Sequence, residues 1–206
     1  MSAPGAVRSN PEVAALFARQ GYVVITGLLP AAQAGMAADH LRRRLQAGTM
    51  NTDTSLGTPI ASIYGDPLID NLMEGLRPAI SYCTGLALHP TYSYARIYRA
   101  GDRLPPHRDR RACEISLSIN LGQKPDAPWA LCVEDRQKNS AAAMLGPGDG
   151  LIYRGIELTH WRDPYEGEEL VQAFLHYVDQ NGPNAGERFD GRAALGTPLA
   201  ANGRAS

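Results

Sequence analysis

The sequence predicts an α+β fold, with a helical N-terminal third packed on one face of an antiparallel β-barrel or sandwich. Three observations predict it. Segments before residue 85 carry apolar residues at helical spacing. From 88 to 178 the chain becomes a series of short strand-like runs separated by Gly- and Pro-bearing turns. A chain of 206 residues, 44% hydrophobic and 20% charged, can build one core without disulfide staples.

Residues 1–10 are small, polar and proline-bearing, which predicts a flexible N-terminus. Pro11 opens a helix, PEVAALFARQ, with Val13, Leu16 and Phe17 on one face, and Gly21 ends it. Tyr22 to Thr26 is β-branched and reads as a buried strand. A second helix runs from Pro30 to about Gln46 with apolar Met36, Leu41 and Leu45; its Arg42-Arg43-Arg44 run reads as a solvated face. Residues 47–64 show no helical period and read as a long polar loop able to act as a lid. A third helix spans Asp66 to about Thr84, with Leu68, Leu72, Leu76 and Ile80 in register and Pro78 as a kink site. The strand-like runs follow at 91–98, 114–121, 128–135, 149–155 and 170–178. The tail, 179–206, is rich in Gly, Ala, Asn and Pro and reads as a partly ordered wrap or a disordered end.

Composition excludes several classes. A net charge of -1 lacks the basic footprint of a nucleic-acid partner. No apolar run approaches the roughly 18 residues of a membrane span. The N-terminus lacks a signal-peptide core, and Cys83, Cys113 and Cys132 show no CxxC spacing. Together these predict reduced thiols and a cytoplasmic protein.

Two of the five histidines sit in suggestive contexts. In an extended segment, residues two apart share a face, so His107 and Asp109 of PPHRD can offer a nitrogen and a carboxylate oxygen to one point. The tripeptide alone reads equally as a surface turn held by a local ion pair. His160, 51 residues after Asp109 and separated from it by strands and a PGDG turn, can join them across a barrel. Two histidines and a carboxylate leave three positions open on a metal, an arrangement suited to non-haem Fe(II).

The same residues resemble a known family. Tyr98-Arg99-Ala100-Gly101 followed by PPHRD, the strand EISLSINLG, the segment GPGDGLIY and the run HWRDPYEG look like the core of Fe(II)- and 2-oxoglutarate-dependent oxygenases, nearest the prolyl-hydroxylase-like branch. GYVVITGLLP resembles that family's N-terminal strand. The resemblance covers most of residues 20–178. It implies a double-stranded β-helix (jelly-roll, cupin-like) core at 88–178 behind a helical part at 11–87, one oxygenase domain in all. It also implies Fe(II) on His107, Asp109 and His160, with 2-oxoglutarate and O2 as co-substrates. A C–H bond of a small polar metabolite would be hydroxylated, with release of succinate and CO2.

By resemblance Tyr98 contacts 2-oxoglutarate, although a barrel-facing tyrosine can equally be core. The sequence departs from the family after Gly167, where Glu168 and Glu169 stand near the usual basic residue. An ionised glutamate cannot bind a carboxylate. Arg162 is the first candidate for the missing partner and Arg96 the second; Arg162 can equally form a surface ion pair with Asp163 or Glu166. Arg108 and Asn120 flank the metal position as substrate contacts, and Trp129 lines a cavity or packs in the core. His176 reads as a packed core histidine, and His40 and His89 as exposed. The missing basic residue keeps alive a second reading, a cupin-like metal-dependent dioxygenase or isomerase without 2-oxoglutarate. A third is a binding domain in which HRD and His160 are structural. The sequence leaves the oligomeric state open.

Overall fold

The computed structural model describes residues 11–55, 57–125 and 129–197. The expected flexible segment 1–10 and the end of the tail, 198–206, lie outside the described residues.

The N-terminal part is built from helices α1 (Pro11–Gln20), α2 (Ala31–Gln46) and α3 (Pro67–Thr84), with strand β1 (Tyr22–Ile25) after the first. Asp66 caps α3, accepting from the Leu68 and Ile69 amides, and Gly85 closes it in the left-handed region at φ 71. The helical spacing is right, but its faces differ from the expected ones. Met36 is 72% exposed, while Ala34, Ala37, Ala38 and Leu41 face inward. Close packing of α2 on the sheet selects alanines there. On α3 the inward set is Ile69, Met73, Leu76 and Ile80, and Leu68 is exposed. Strand β1 is an edge strand pairing with one neighbour, which leaves Val24 exposed.

The region expected as a loop at 47–64 holds two strands, β2 (Asn51–Asp53) and β3 (Ile60–Tyr64). β3 pairs with the next strand, β4 (Leu88–Arg99), which supplies the partner that the polar sequence does not advertise. The remaining strands are β5 (Leu104–His107), β6 (Ile115–Lys124), β7 (Leu131–Glu134), β8 (Ser140–Ala143), β9 (Gly150–Tyr153), β10 (His160–Arg162) and β11 (Glu169–Asp179). β5, β8 and β10 are three or four residues long, too short for an alternating pattern to show.

Two antiparallel sheets result. The larger has the order β1-β9-β6-β11-β4-β3-β2 and the smaller β5-β10-β7-β8. From β4 onward the chain crosses between sheets at nearly every connection, the β7–β8 hairpin excepted, and this winding makes the jelly roll. The helices pack on the outer face of the larger sheet around Leu117, Ile119, Ala173 and Leu175. Each fully buried Leu or Ile side chain there contributes about 1.5–3 kcal/mol. Smaller apolar clusters around Leu131, Val133 and Leu151, and around Tyr98, Trp129 and Leu170, lie between the sheets.

The tail does not leave the barrel at 179. Residues 180–197 fold back, with a broken 3-10 segment at Ala185–Gly191. Arg192 is 5% exposed and clamps this segment to α3 through Asp70 at 2.7 Å and to the Thr91 carbonyl at 3.1 Å. The wrap, not the disordered end, describes this stretch. His40 and His89, expected exposed, are half-buried, and His40 binds both oxygens of Asp66 at 3.0 Å. Among the described residues no helix is long and apolar enough to cross a membrane.

Candidate metal centre

β5 carries Pro105 and Pro106 ahead of His107. Proline lacks an amide donor, and β5 tolerates two because it is an edge strand. Its register with β10 sets His107 directly opposite His160, with ring centroids 4.2 Å apart. His107 Nδ1 donates to the Pro105 carbonyl at 2.9 Å and His160 Nδ1 to the Leu158 carbonyl at 3.1 Å. A carbonyl only accepts, so Nδ1 carries a proton in each ring, and in the neutral imidazole each Nε2 presents a lone pair. Both Nε2 atoms converge on Asp109 Oδ1, at 3.6 and 3.5 Å. One ligand atom from each of the three lies within 4.8 Å of the others. The side chains singled out in the sequence therefore meet as a two-His, one-carboxylate set.

Electrostatics fit a cation here. Burial disfavours the Asp109 carboxylate, yet the neighbouring His107 and His160 outweigh it and hold the carboxyl well below its usual range. Burial also works against charge on His107, but Asp109 and the Pro105 carbonyl raise its pKa overall. The carboxylate is fixed by groups that sequence reading missed. Its amide donates to the Gly155 carbonyl at 2.9 Å, and Ser116 Oγ donates to Oδ2 at 3.1 Å. A Cβ on Gly155 would collide with Asp109 Oδ2 and the Cys113 carbonyl, so this position demands glycine for close approach.

The three residues line a cavity of about 690 Å³, walled also by Tyr64, Tyr94, Arg96, Phe174 and His176. Arg96 is engaged from β2 by Asp53 at 2.5 Å and donates to the Tyr98 hydroxyl at 3.3 Å. Burial disfavours the Asp53 carboxylate, but hydrogen bonds from Ser55 and from Arg96 lower its pKa overall. The polar segment 51–55 thus supplies a cavity wall. So does the tail: Asp190 takes both Arg110 Nη atoms at 2.6 and 2.7 Å and the Tyr64 hydroxyl at 2.6 Å.

Arg162 is 3% exposed and makes no ion pair among the described residues, which corrects the surface-pair alternative with Asp163 or Glu166. Its side chain points inward because it follows His160 by two on β10. One Nη donates to the Trp129 carbonyl, the other to Gln172 Oε1 at 2.8 Å, and the buried Nε has no partner. The guanidinium lies over the Trp129 ring at 4.5 Å. Burial pushes its pKa down to about 10. A buried cation without a counter-ion and with an orphaned donor can take an anion. The fully buried Tyr98 stands edge-on to Trp129 at 5.2 Å. Glu169, at the expected basic position, is held by Arg42 and Arg99 at 2.7 and 2.9 Å.

Three expected substrate contacts are placed elsewhere. Arg108 is exposed and absent from the cavity wall. Asn120 is buried and donates to the Leu145 carbonyl at 2.7 Å and to Gln123 at 2.6 Å, tying β6 to the turn before β9. Trp129 sits behind Arg162, its indole N–H on the Asp163 carbonyl at 2.9 Å. His176, read as core, is 5% exposed and lines the cavity, and burial pushes its pKa down to about 4. The alternation in EISLSIN signals that Ser116 shares the inward face; nothing in the tail sequence signals Asp190.

No protein-family model and no curated protein matches the chain. Solved structures do. A prolyl-4-hydroxylase from Pseudomonas putida aligns at TM-score 0.68 and 20% identity, over 82% of this chain and 97% of that one. The non-haem alpha-ketoglutarate-dependent carbocyclase SnoK from nogalamycin biosynthesis gives 0.74 at 13% identity, over 97% of each chain. EctD from S. alaskensis with 2-oxoglutarate and 5-hydroxyectoine gives 0.67 at 14% identity, over 86% and 79%. The chain shares the fold of these three proteins.

Proposed function

We propose that this protein is an Fe(II)- and 2-oxoglutarate-dependent dioxygenase that hydroxylates an unactivated C–H bond of a small polar metabolite. The observation that carries the reading is the convergence of His107 Nε2, His160 Nε2 and an Asp109 oxygen on the wall of the cavity. They would hold the metal as a facial set. Bound there with 2-oxoglutarate and O2, iron would supply the oxidising chemistry, with the co-substrate leaving as succinate and CO2 and one oxygen atom of O2 entering the substrate.

The chain's own residues do the positioning. Backbone carbonyls hold both imidazoles in the ligating tautomer before any metal arrives. Arg162 would take the far carboxylate of 2-oxoglutarate, which supplies its missing counter-ion, with Tyr98 beside it. Arg96 is already neutralised by Asp53 and is the weaker candidate. Tyr64, Tyr94 and Phe174 would exclude water from the bound organic substrate. Proteins of this fold include a prolyl-4-hydroxylase, the epimerase SnoN and the carbocyclase SnoK, so the fold serves more than one outcome and hydroxylation is our choice among them. Three free cysteines support a cytoplasmic setting.

Anaerobic titration of metal-free protein with Fe(II), then 2-oxoglutarate, tests the reading. A weak visible charge-transfer band is expected only when both are present. Iron binding with neither band nor 2-oxoglutarate binding would replace this reading with the cupin-like one. A folded protein that binds no iron would overturn both.

A further inference from the structure

Ser116 Oγ stands between two groups: Asp109 Oδ2 at 3.1 Å and His176 Nδ1 at 2.9 Å. A serine hydroxyl has one proton to give and two lone pairs. The Cys113 carbonyl, at 3.3 Å, is the remaining acceptor for that proton. Hydrogen bonds to an ionised carboxylate are roughly twice as strong as those to a neutral acceptor. The proton therefore goes to Asp109, and His176 can bond Ser116 only as a donor from Nδ1. With Nδ1 protonated, a neutral His176 keeps a lone pair on Nε2. That nitrogen has no hydrogen-bond partner among the described residues, and the residue lines the cavity that holds the metal ligands. Tyr92 packs its ring against His176 at 4.5 Å between centroids and fixes the imidazole plane.

We propose that His176 is a positioning residue with two roles: through Ser116 it fixes the Asp109 carboxylate for the metal, and its free Nε2 accepts a hydrogen bond from an O–H or N–H group of the organic substrate. The inference rests on the metal reading above. It makes the substrate a hydrogen-bond donor beside the metal. It also explains why strand β11 spends a buried position on a histidine where an apolar residue would pack.

The test uses cobalt(II), whose visible bands report coordination without turnover. Wild type, Ser116→Ala, His176→Leu and His176→Asn are titrated after circular dichroism shows each folded. Asparagine puts its amide N–H where Nδ1–H stood, so it retains the bond to Ser116. Ser116→Ala and His176→Leu are expected to bind cobalt about 10- to 100-fold more weakly, with altered band intensities, and His176→Asn to recover wild-type binding. Nitrogen-15 NMR of the zinc-loaded protein is expected to show His176 protonated on Nδ1 and bare on Nε2. Undiminished binding by both Ser116→Ala and His176→Leu, or a proton on Nε2, would overturn the proposal alone. A wild type that binds no cobalt would overturn the metal reading with it.

Discussion

Strands β6 and β11 present two faces that are equally dry and entirely different. Outward, Ile115, Leu117 and Ile119 on β6 and Val171, Ala173 and Leu175 on β11 pack under the helices. Inward, Ser116, Ser118, Asn120, Gln172 and His176 are each 5% exposed or less. Exposure cannot tell these faces apart, but chemistry can. The outward residues stabilise through area, at roughly 25 cal/mol per Å² removed from water. The inward residues cost free energy unless their hydrogen bonds are made. Those bonds lead somewhere. Ser116 ends on Asp109, and Gln172 joins Ser118 to Arg162 through bonds of 2.7 and 2.8 Å. One face of the sheet holds the fold together; the other aims the two charged groups on which the proposed chemistry depends.

The most direct way to break this distinction is to substitute one residue from each side. Asp109→Ala is expected to lose Fe(II) binding and 2-oxoglutarate turnover completely while still unfolding cooperatively. Leu117→Ala is expected to cost about 2–5 kcal/mol in denaturant unfolding, with unchanged Fe(II) affinity in the protein that remains folded. If Leu117→Ala impairs metal binding in the folded state, or Asp109→Ala leaves it intact, the two faces do not divide the work.

A smaller effect sharpens the inward side. Arg162→Met removes a buried cation that lacks a counter-ion, but leaves the Trp129 carbonyl and Gln172 without their donor. These changes oppose each other, so stability is expected within about 2 kcal/mol of wild type. Affinity for 2-oxoglutarate, measured calorimetrically on the manganese-loaded protein, is expected to fall about 10- to 100-fold with the lost charged hydrogen bonds. A larger loss from Arg96→Met would transfer that role to Arg96.

The same contrast explains what the sequence made legible. Alternation along 114–121 and 170–178 shows both faces, and the HxD spacing with a distant histidine shows the metal set, because both patterns are local or pairwise. The winding of the jelly roll came through its family likeness. Strands β5, β8 and β10 were hidden because three or four residues carry too few alternations to count. β2 was hidden because an edge position lets three polar residues form strand, and the five residues of β3 are too few to stand out from the polar segment around them. Arg162 was legible as a candidate, but its missing counter-ion is a property of packing. His176 is buried as read, but its place on the cavity wall was hidden, because a buried histidine in an apolar run looks the same whether its ring faces a core or a cavity. Asp190 was invisible: its tail has no period, and Asp190 reaches the cavity from a turn whose positive φ angles, 59° at Phe189 and 53° at Asp190, composition does not announce.

Asp190 also gives the gentlest test, because it faces the cavity from outside both strands. Burial disfavours its carboxylate, but the hydrogen bonds from Arg110 and Tyr64 outweigh this and lower its pKa below that of an unfolded aspartate. The unfolded chain therefore binds this proton more readily, and stability rises with pH through the interval between the two values. The contribution is present above about pH 4 and is lost as pH falls through the lower, folded value. Arg110 is 43% exposed at its side chain, so solvent screening limits the pair to about 1 kcal/mol. Asp190→Asn is expected to be less stable than wild type by that amount at pH 7 in urea unfolding, and the gap should narrow at pH 3. A gap of equal size at both pH values would mean that Asp190 contributes through packing in its strained turn, and that the inward rule of charge paired to charge stops at the barrel's edge.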